Sequence, residues 1–370
     1  MGRARDIASL LTTSSVLATD AEVASLGYLT NSSASSIYQS LTGNNNSYRN
    51  KLINGDFNIW QRGTSFADPG TSAAAYTSDR WQAYRNNGSS GITTSRQTSG
   101  LIGFQYALRL QRNSSNNKAN EMFILQMLET VNSIPLAGQT VTLSFYAKAG
   151  TNFSAASNVF TANILTGTGT DQSAFSSGEN LSGVPNLTGG AIAINQNFNT
   201  TTSWARYSVT GTLASNITQV GVRLYYTPSG TAGAADFIEI TGIQLELGSV
   251  ATPYEPISFV DELSQCQRYF IRYTDSQYYA QWTSSGFTRF QISLPVTQRI
   301  AGAFSYTGTL QTNIYYEVGG VGTTGTVNGL SDVAASVNIH LMQITFSATP
   351  SAGGGRLITS GSNFDFNAEL

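Results

Sequence analysis

Few residues in this 370-residue chain have side chains able to do acid–base, nucleophilic or metal chemistry. There is one His, His340, and one Cys, Cys266. His340 lies in an alternating stretch, Val337-Asn338-Ile339-His340-Leu341-Met342, where a structural strand residue is expected. With one His and one Cys the chain lacks the residues for a multi-His metal site, and its lone strand His is read as structural rather than as the base of a Ser-His-Asp triad. Cys266 cannot form an intrachain disulfide, and its spacing with Phe259, Leu263 and Phe270 reads as a small buried hydrophobe on a short helix. Carboxylates remain. A glycoside hydrolase needs two of them facing each other at roughly 5–9.5 Å. The densest cluster is Asp236, Glu239, Glu246, Glu255, Asp261 and Glu262. Asp236 and Glu239 are three positions apart, so a strand turns them to opposite sides. Asp261 and Glu262 read as charges on a solvated helical turn. No glycine-rich phosphate loop with a Lys is present. No catalytic residue, metal ligand or cofactor is assigned, and the chain is read as a non-enzyme. A surface-polysaccharide hydrolase is the alternative.

Binding sugar demands less. Sugars offer apolar C–H faces and hydroxyls, which aromatic platforms and neutral hydrogen-bonding groups can meet. The chain has 18 Tyr, 18 Phe and 4 Trp, with abundant Asn, Gln, Ser and Thr. The richest aromatic run is Tyr269, Tyr273, Tyr278, Tyr279 and Trp282, and Tyr315-Tyr316 sits beside a Gly-rich turn. Adjacent tyrosines on a strand point to opposite faces, so one ring of each pair is open to a ligand. Tyr278, Tyr279, Trp282, Tyr315 and Tyr316 are the expected ligand-binding residues. Trp60, Trp81 and Trp204 lie in strand patterns and are expected in a core.

The elements that must position these groups are strands. Charged residues are 11% of the chain, against a usual ~25%. That is a neutral polar surface over turn-rich β-structure, and it lacks the basic footprint of a nucleic-acid binder. No signal peptide and no bilayer-spanning apolar run is read, so no membrane insertion is expected. Residues 1–50 form an arm with two short apolar sets, Ile7, Leu10 and Leu11, then Val23 and Leu26. Helices this short are marginal alone, so the arm is expected to be partly helical and to dock on a partner or self-associate. Residues 51–258 read as a jelly-roll β-sandwich, with strands expected over Leu52–Trp60, Arg80–Arg85, Tyr106–Gln111, Phe123–Leu128, Thr140–Lys148, Val159–Leu165, Trp204–Thr210, Gln219–Tyr226 and Asp236–Leu247. In Asp236–Leu247 the apolar alternation shifts near Gly242, which suggests a bulge. The first and last of these strands are expected to be neighbours. A helix is expected over Phe259–Arg272. The remainder of 259–370 reads as a second β-sandwich, the expected binding tip. The fold class is therefore all-β.

Several segments carry a family resemblance when taken in order. They are Asn54-Gly55-Asp56-Phe57-Asn58-Ile59-Trp60-Gln61-Arg62-Gly63, Asp79-Arg80-Trp81, Ser144-Phe145-Tyr146-Ala147-Lys148, Ile240-Thr241-Gly242-Ile243-Gln244-Leu245-Glu246-Leu247-Gly248, Thr252-Pro253-Tyr254-Glu255 and Cys266-Gln267-Arg268-Tyr269. Together they resemble bacteriophage tail-fibre and related virion proteins. The arm is similar to that of cyanophage fibre-like proteins, and the middle region resembles jelly-roll carbohydrate-binding modules. The resemblance implies a homotrimeric virion fibre assembled in the host cytoplasm. Its arm would attach to a phage tail or baseplate protein, and its distal part would bind host cell-surface polysaccharide. A head-decoration or baseplate fibre without a receptor role is the alternative within that class. Sugar-binding jelly rolls often carry Glu where Asn58 stands here, so the sequence does not support the structural calcium that the resemblance would allow.

Overall fold

A computed structural model describes residues 49–69, 74–86, 90–174, 185–274, 277–284, 287–307, 314–318, 321–324, 327–346, 354–358 and 363–369. The arm residues Ile7, Leu10, Leu11, Val23 and Leu26 lie outside these. By its internal contacts the chain divides into Met1–Arg49 and one compact unit, Asn50–Leu370.

The unit begins with twelve strands: β1 (Ser65–Ala67), β2 (Ala75–Tyr76), β3 (Gln82–Arg85), β4 (Ile92–Thr98), β5 (Tyr106–Arg112), β6 (Met122–Met127), β7 (Thr140–Ala149), β8 (Val159–Gly167), β9 (Ala191–Asn199), β10 (Ala205–Thr212), β11 (Gln219–Tyr226) and β12 (Phe237–Leu247). They form two six-stranded antiparallel sheets. The first has the order β1-β4-β5-β12-β7-β10 and the second β2-β3-β6-β11-β8-β9. The chain passes between the sheets at every connection except β2–β3, β4–β5 and β8–β9, which makes a jelly roll. Period-2 alternation decides what goes between the sheets. Val141, Leu143, Phe145 and Ala147 of β7 face Ile124 of β6, Phe160, Ala162 and Ile164 of β8, and Val220, Val222 and Leu224 of β11 across one dry core.

The expected opening strand Leu52–Trp60 is instead a chain of turns. Asn54 and Phe57 take left-handed φ values of 57° and 58°, which no strand accommodates. Asn54 holds its conformation with its own amide. Its Nδ2 donates to the Ile59 and Asp79 carbonyls, and its Oδ1 accepts from the Ile59 amide. The segment still lies against β12, as expected of the two ends of this domain. Lys51 N donates to Leu245 O, and Ile243 N donates to Gly55 O. A Cβ on Gly55 would stand 2.2 Å from the Ile243 carbonyl oxygen, so only glycine fits. The bulge suggested near Gly242 is present: the β12/β7 register shifts between Thr241 and Gln244, and Gly242 has φ +60°. Strands β1, β2, β4 and β9 were not expected from the sequence.

Helix α1 (Phe259–Gln267) follows, capped by the Ser258 hydroxyl, which accepts from Asp261 N. Its buried residues are Glu262 and Cys266, while Phe259 is 60% exposed. The reading of Glu262 as a solvated charge is thus corrected. Its Oε1 accepts from the Asn54 amide, so the turn-rich opening draws it inward.

The chain then forms β13 (Phe270–Thr274), β14 (Gln277–Ser284), β15 (Phe287–Ser293), β16 (Ala303–Thr307), β17 (Ile314–Val318), β18 (Val321–Thr324), β19 (Val327–Ala335), β20 (Ile339–Phe346), β21 (Gly354–Ile358) and β22 (Asn363–Asn367). A three-stranded sheet, β13-β22-β16, and a seven-stranded sheet, β18-β17-β21-β14-β15-β20-β19, share a core of Ile271, Phe290, Ile292, Met342, Phe364 and Phe366. His340 is fully buried there, with Nδ1 2.5 Å from Asp332 Oδ2 and its ring 4.4 Å from Phe366. Buried charges join this region to the jelly roll. Arg80 pairs with Glu369 and lies 3.5 Å over the Tyr269 ring, and Arg62 lies 3.5 Å over Phe270.

Candidate functional site

The outer face of the second jelly-roll sheet presents two polar and aromatic rungs. Alternation along β11 sends Val220, Val222 and Leu224 into the core and turns Arg223 and Tyr225 outward. Pairing then fixes their neighbours. Arg223 stands opposite Asn163 of β8, which stands opposite Asn195 of β9. Tyr225 stands opposite Thr161, itself opposite Asn197, and on its other side opposite Phe123, which is opposite Tyr84.

The rungs are hydrogen-bonded along their length. Arg223 Nε donates to Asn163 Oδ1 at 3.0 Å and Nη2 donates to the same oxygen at 2.6 Å. Arg223 Nη1 donates to Glu121 Oε1 at 3.2 Å, and its guanidinium lies 4.6 Å over the Tyr225 ring. Asn163 Nδ2 donates to Asn195 Oδ1 at 2.8 Å, and Thr161 Oγ1 donates to Asn197 Oδ1 at 2.8 Å. The floor is closed, because Tyr84, Phe123, Arg223, Asn163 and Thr161 are all buried. The rim is open: Asn195 and Asn197 are exposed and Tyr225 is half-buried. With their oxygens engaged inward, the two exposed amides present NH₂ donors.

Burial pushes the Glu121 carboxyl up to about 7, against the opposing pull of Arg223. Burial likewise lowers the Arg223 guanidinium, which Glu121 and Tyr225 partly restore. This ladder can hold hydroxyls through the exposed Asn195 and Asn197 NH₂ donors beside an aromatic edge, with buried Arg223 fixing the Asn163 amide that orients Asn195. Its one carboxyl is tied to Arg223, which suits orientation of a ligand better than bond cleavage.

The sequence's acidic cluster is dispersed into structural roles. Asp236 accepts from Ser154 and pairs with Arg112, and Glu239 pairs with Arg109 and Lys148. Glu246 accepts from Thr252 and Gln244, and Glu255 accepts from the Asn50 amide. Glu262 meets Asp56, and burial holds both carboxyls above their usual range, reinforced at Glu262 by the Asp56 charge and a shared hydrogen bond. Asn58 Nδ2 donates to Asp56 Oδ2 at 2.6 Å. Among the described residues, no group of three or more His, Cys, Asp or Glu side chains is placed to hold a metal ion.

The expected ligand-binding residues lie on the seven-stranded sheet. Tyr278 and Tyr279 of β14 pair with Leu357 and Arg356 of β21, and Trp282 pairs with Thr288 of β15. Tyr315 and Tyr316 of β17 pair with Arg356 and Gly355. Register therefore sets Tyr279, Arg356 and Tyr315 level across three neighbouring strands, while Trp282 lies farther along β14. Trp60 and Trp81 are buried as expected, but Trp204 is not in the core. It precedes β10 half-buried, with Nε1 donating to Ser99 O and its ring near Lys148. Sequence reading missed Glu121, Thr161, Asn163, Asn195, Asn197 and Arg223. The available signal was a polar or aromatic residue at alternate positions of otherwise apolar strands.

No family model and no curated protein matches the chain in sequence. Several solved β-structures resemble part of it. The enzymatically active domain of bacteriophage CBA120 tailspike protein 4 is 13% identical, over 54% of this chain and 22% of that one, with a TM-score of 0.33. TmCBM61, solved with β-1,4-galactotriose, is 10% identical, over 54% of this chain and 99% of that one, with a TM-score of 0.30. The C-terminal family 22 carbohydrate binding module of Clostridium thermocellum Xyn10B is 11% identical, over 51% of this chain and 99% of that one, with a TM-score of 0.30. The class defined by the fold is an all-β protein with a jelly-roll sandwich.

Proposed function

We propose that the protein is a non-enzymatic glycan-binding protein whose jelly roll receives sugar on the outer face of its second sheet. The observation that carries this reading is the ladder Glu121–Arg223–Asn163–Asn195, lying beside Tyr225 and Thr161–Asn197 on a face whose rim is open. The finer reading rests on the ordered sequence resemblance to phage fibres. In it the chain is a homotrimeric virion fibre, its arm (Ile7, Leu10, Leu11, Val23, Leu26) attaches to a tail or baseplate protein, and the glycan is a host cell-surface polysaccharide.

Glycan binding by the intact protein tests the site. Asn195→Ala with Asn197→Ala removes the two exposed amides and, with them, the acceptors of buried Asn163 and Thr161, so it should weaken binding about tenfold and lower stability by roughly 1–3 kcal/mol without unfolding the protein. Unchanged affinity in that variant, together with loss in Tyr279→Ala and Tyr315→Ala, would move the site to the seven-stranded sheet. Appearance of new reducing ends on incubation with host polysaccharide would replace the binder with the hydrolase. Light scattering tests the assembly, since a clean monomer at micromolar concentration contradicts the trimer.

A further inference from the structure

The outer face of the first jelly-roll sheet carries a second group of side chains, on the opposite side of the sandwich from the ladder above. Its centre is a single rung. Arg109 of β5 stands opposite Glu239 of β12, and Glu239 stands opposite Lys148 of β7. The Glu239 carboxylate is buried, and two cations converge on it. Arg109 Nε donates to Oε1 at 2.9 Å, and Lys148 Nζ lies 2.9 Å from Oε2. Both cations are 26% exposed, against 2% for the carboxylate between them. The carboxylate thus fixes the positions of two positive groups that still reach solvent, and the rung keeps a surplus of one positive charge. One rung away, opposite Tyr146, Arg206 adds another cation. Its Nη2 donates to two neutral acceptors, Ser144 Oγ and Thr252 O.

Two half-buried aromatic rings bracket this charge. The Arg109 guanidinium lies 4.0 Å over Phe237, and Lys148 Nζ lies 4.9 Å from the Trp204 ring centroid. Trp204 is held in place by its Nε1 donation to Ser99 O at 2.9 Å. The backbones of Arg109 and Lys148 are two strand spacings apart, about 9–10 Å, and their charged groups lie closer together because both reach the same carboxylate. Such an array, two fixed cations flanked by an aromatic ring at each end, suits a polymer that carries anionic groups on its sugar rings. Charged residues are only 11% of this chain and its net charge is −2, so three cations gathered over two adjacent rungs are not a sample of its general surface.

We propose that this face is a second binding site, for a polysaccharide that carries carboxylate or sulfate groups, held by Lys148 and Arg109 and stacked on Trp204 and Phe237. The site goes beyond the ladder reading and does not depend on it.

The test uses the full chain and four probes: polygalacturonate, dextran sulfate, neutral dextran and a short DNA duplex. The protein should bind polygalacturonate or dextran sulfate, and comparison of the two identifies the anionic group. Neutral dextran should bind at least about tenfold more weakly, and affinity should fall as salt is raised. Lys148→Gln and Trp204→Ala should each weaken acidic-glycan binding about tenfold. Lys148→Gln leaves Glu239 paired with Arg109, and unchanged thermal unfolding shows that the fold is retained. Asn195→Ala with Asn197→Ala should leave acidic-glycan binding unchanged, which separates this site from the ladder. The proposal is overturned if neither acidic polymer binds, if the Lys148 and Trp204 variants bind as well as the parent, or if the duplex binds as tightly as the acidic glycan.

Discussion

Glu121→Gln tests the electrostatics of the ladder. Glu121 is held up to about 7 in the folded protein from an ordinary 4.5, chiefly by burial. Between those two values the folded protein keeps a proton that the unfolded chain has released. Its contribution to stability is therefore full below about 4.5 and is lost as pH rises through about 7. At about 1.4 kcal/mol per tenfold change in proton affinity, that gap sets a ceiling of roughly 3 kcal/mol. The side chain is 10% exposed, so solvent screening takes little from that figure. Glutamine retains an oxygen that accepts from Arg223 but does not titrate. Urea unfolding of both proteins, followed by tryptophan fluorescence from about pH 4.5 to pH 8, should show the variant gaining on the parent by about 2–3 kcal/mol across the interval. Other titrating groups, Glu262 included, are common to both proteins and cancel in the difference. Parallel stability profiles over the whole range would refute the reasoning, because Glu121 would then have the same proton affinity folded and unfolded.

Three further outcomes follow from buried contacts. Glu369→Ala removes the carboxylate partner of buried Arg80, leaving it the Met127 carbonyl and the Tyr269 ring, and should cost about 3–5 kcal/mol in chemical unfolding. Gly55→Ala would set a methyl 2.2 Å from the Ile243 carbonyl oxygen, so either the opening loop must leave β12 or the bulge must shift, with an expected loss of about 2 kcal/mol or more in thermal unfolding. Glu262→Gln can keep an acceptor for Asn54 N and donate to Asp56. Because the Glu262 carboxyl is held above its ordinary range, the variant should be more stable than the parent at about pH 8, and the gain should fade towards about pH 4.

The neighbours that meet on the outer faces of the jelly roll come from distant parts of the chain. Arg223 and Glu121 are 102 positions apart, and Arg223 and Asn163 are 60 apart. Period-2 alternation says that Arg223 shares a side of β11 with Tyr225. It cannot say that β11 lies between β6 and β8, and that order is what brings Glu121 and Asn163 to Arg223. Trp204 was misplaced for the same reason. An aromatic residue at a strand end satisfies a core pattern equally well on either face, and the choice is made by Lys148 and Ser99 on neighbouring segments.

Local chemistry settled other features within the sequence itself. The alternation in β7 and β12, the Gly242 bulge, the short helix and the sparse charge together specify an all-β protein with a core between sheets, because each depends on residues close in sequence. The Leu52–Trp60 segment marks the boundary. Its apolar residues read as a strand, and all but half-buried Ile53 are buried. Its backbone, however, turns at Asn54 and Phe57 with positive φ, held by the Asp79 and Ile59 carbonyls and by the close approach of Ile243. Composition and periodicity determined the fold class and which residues of a strand share a side. Tertiary structure alone decided which strands became neighbours, which buried carboxyls met a cation or each other, and which side chains meet on each outer face, because hydrogen-bonded pairing joins residues that sequence spacing leaves unrelated.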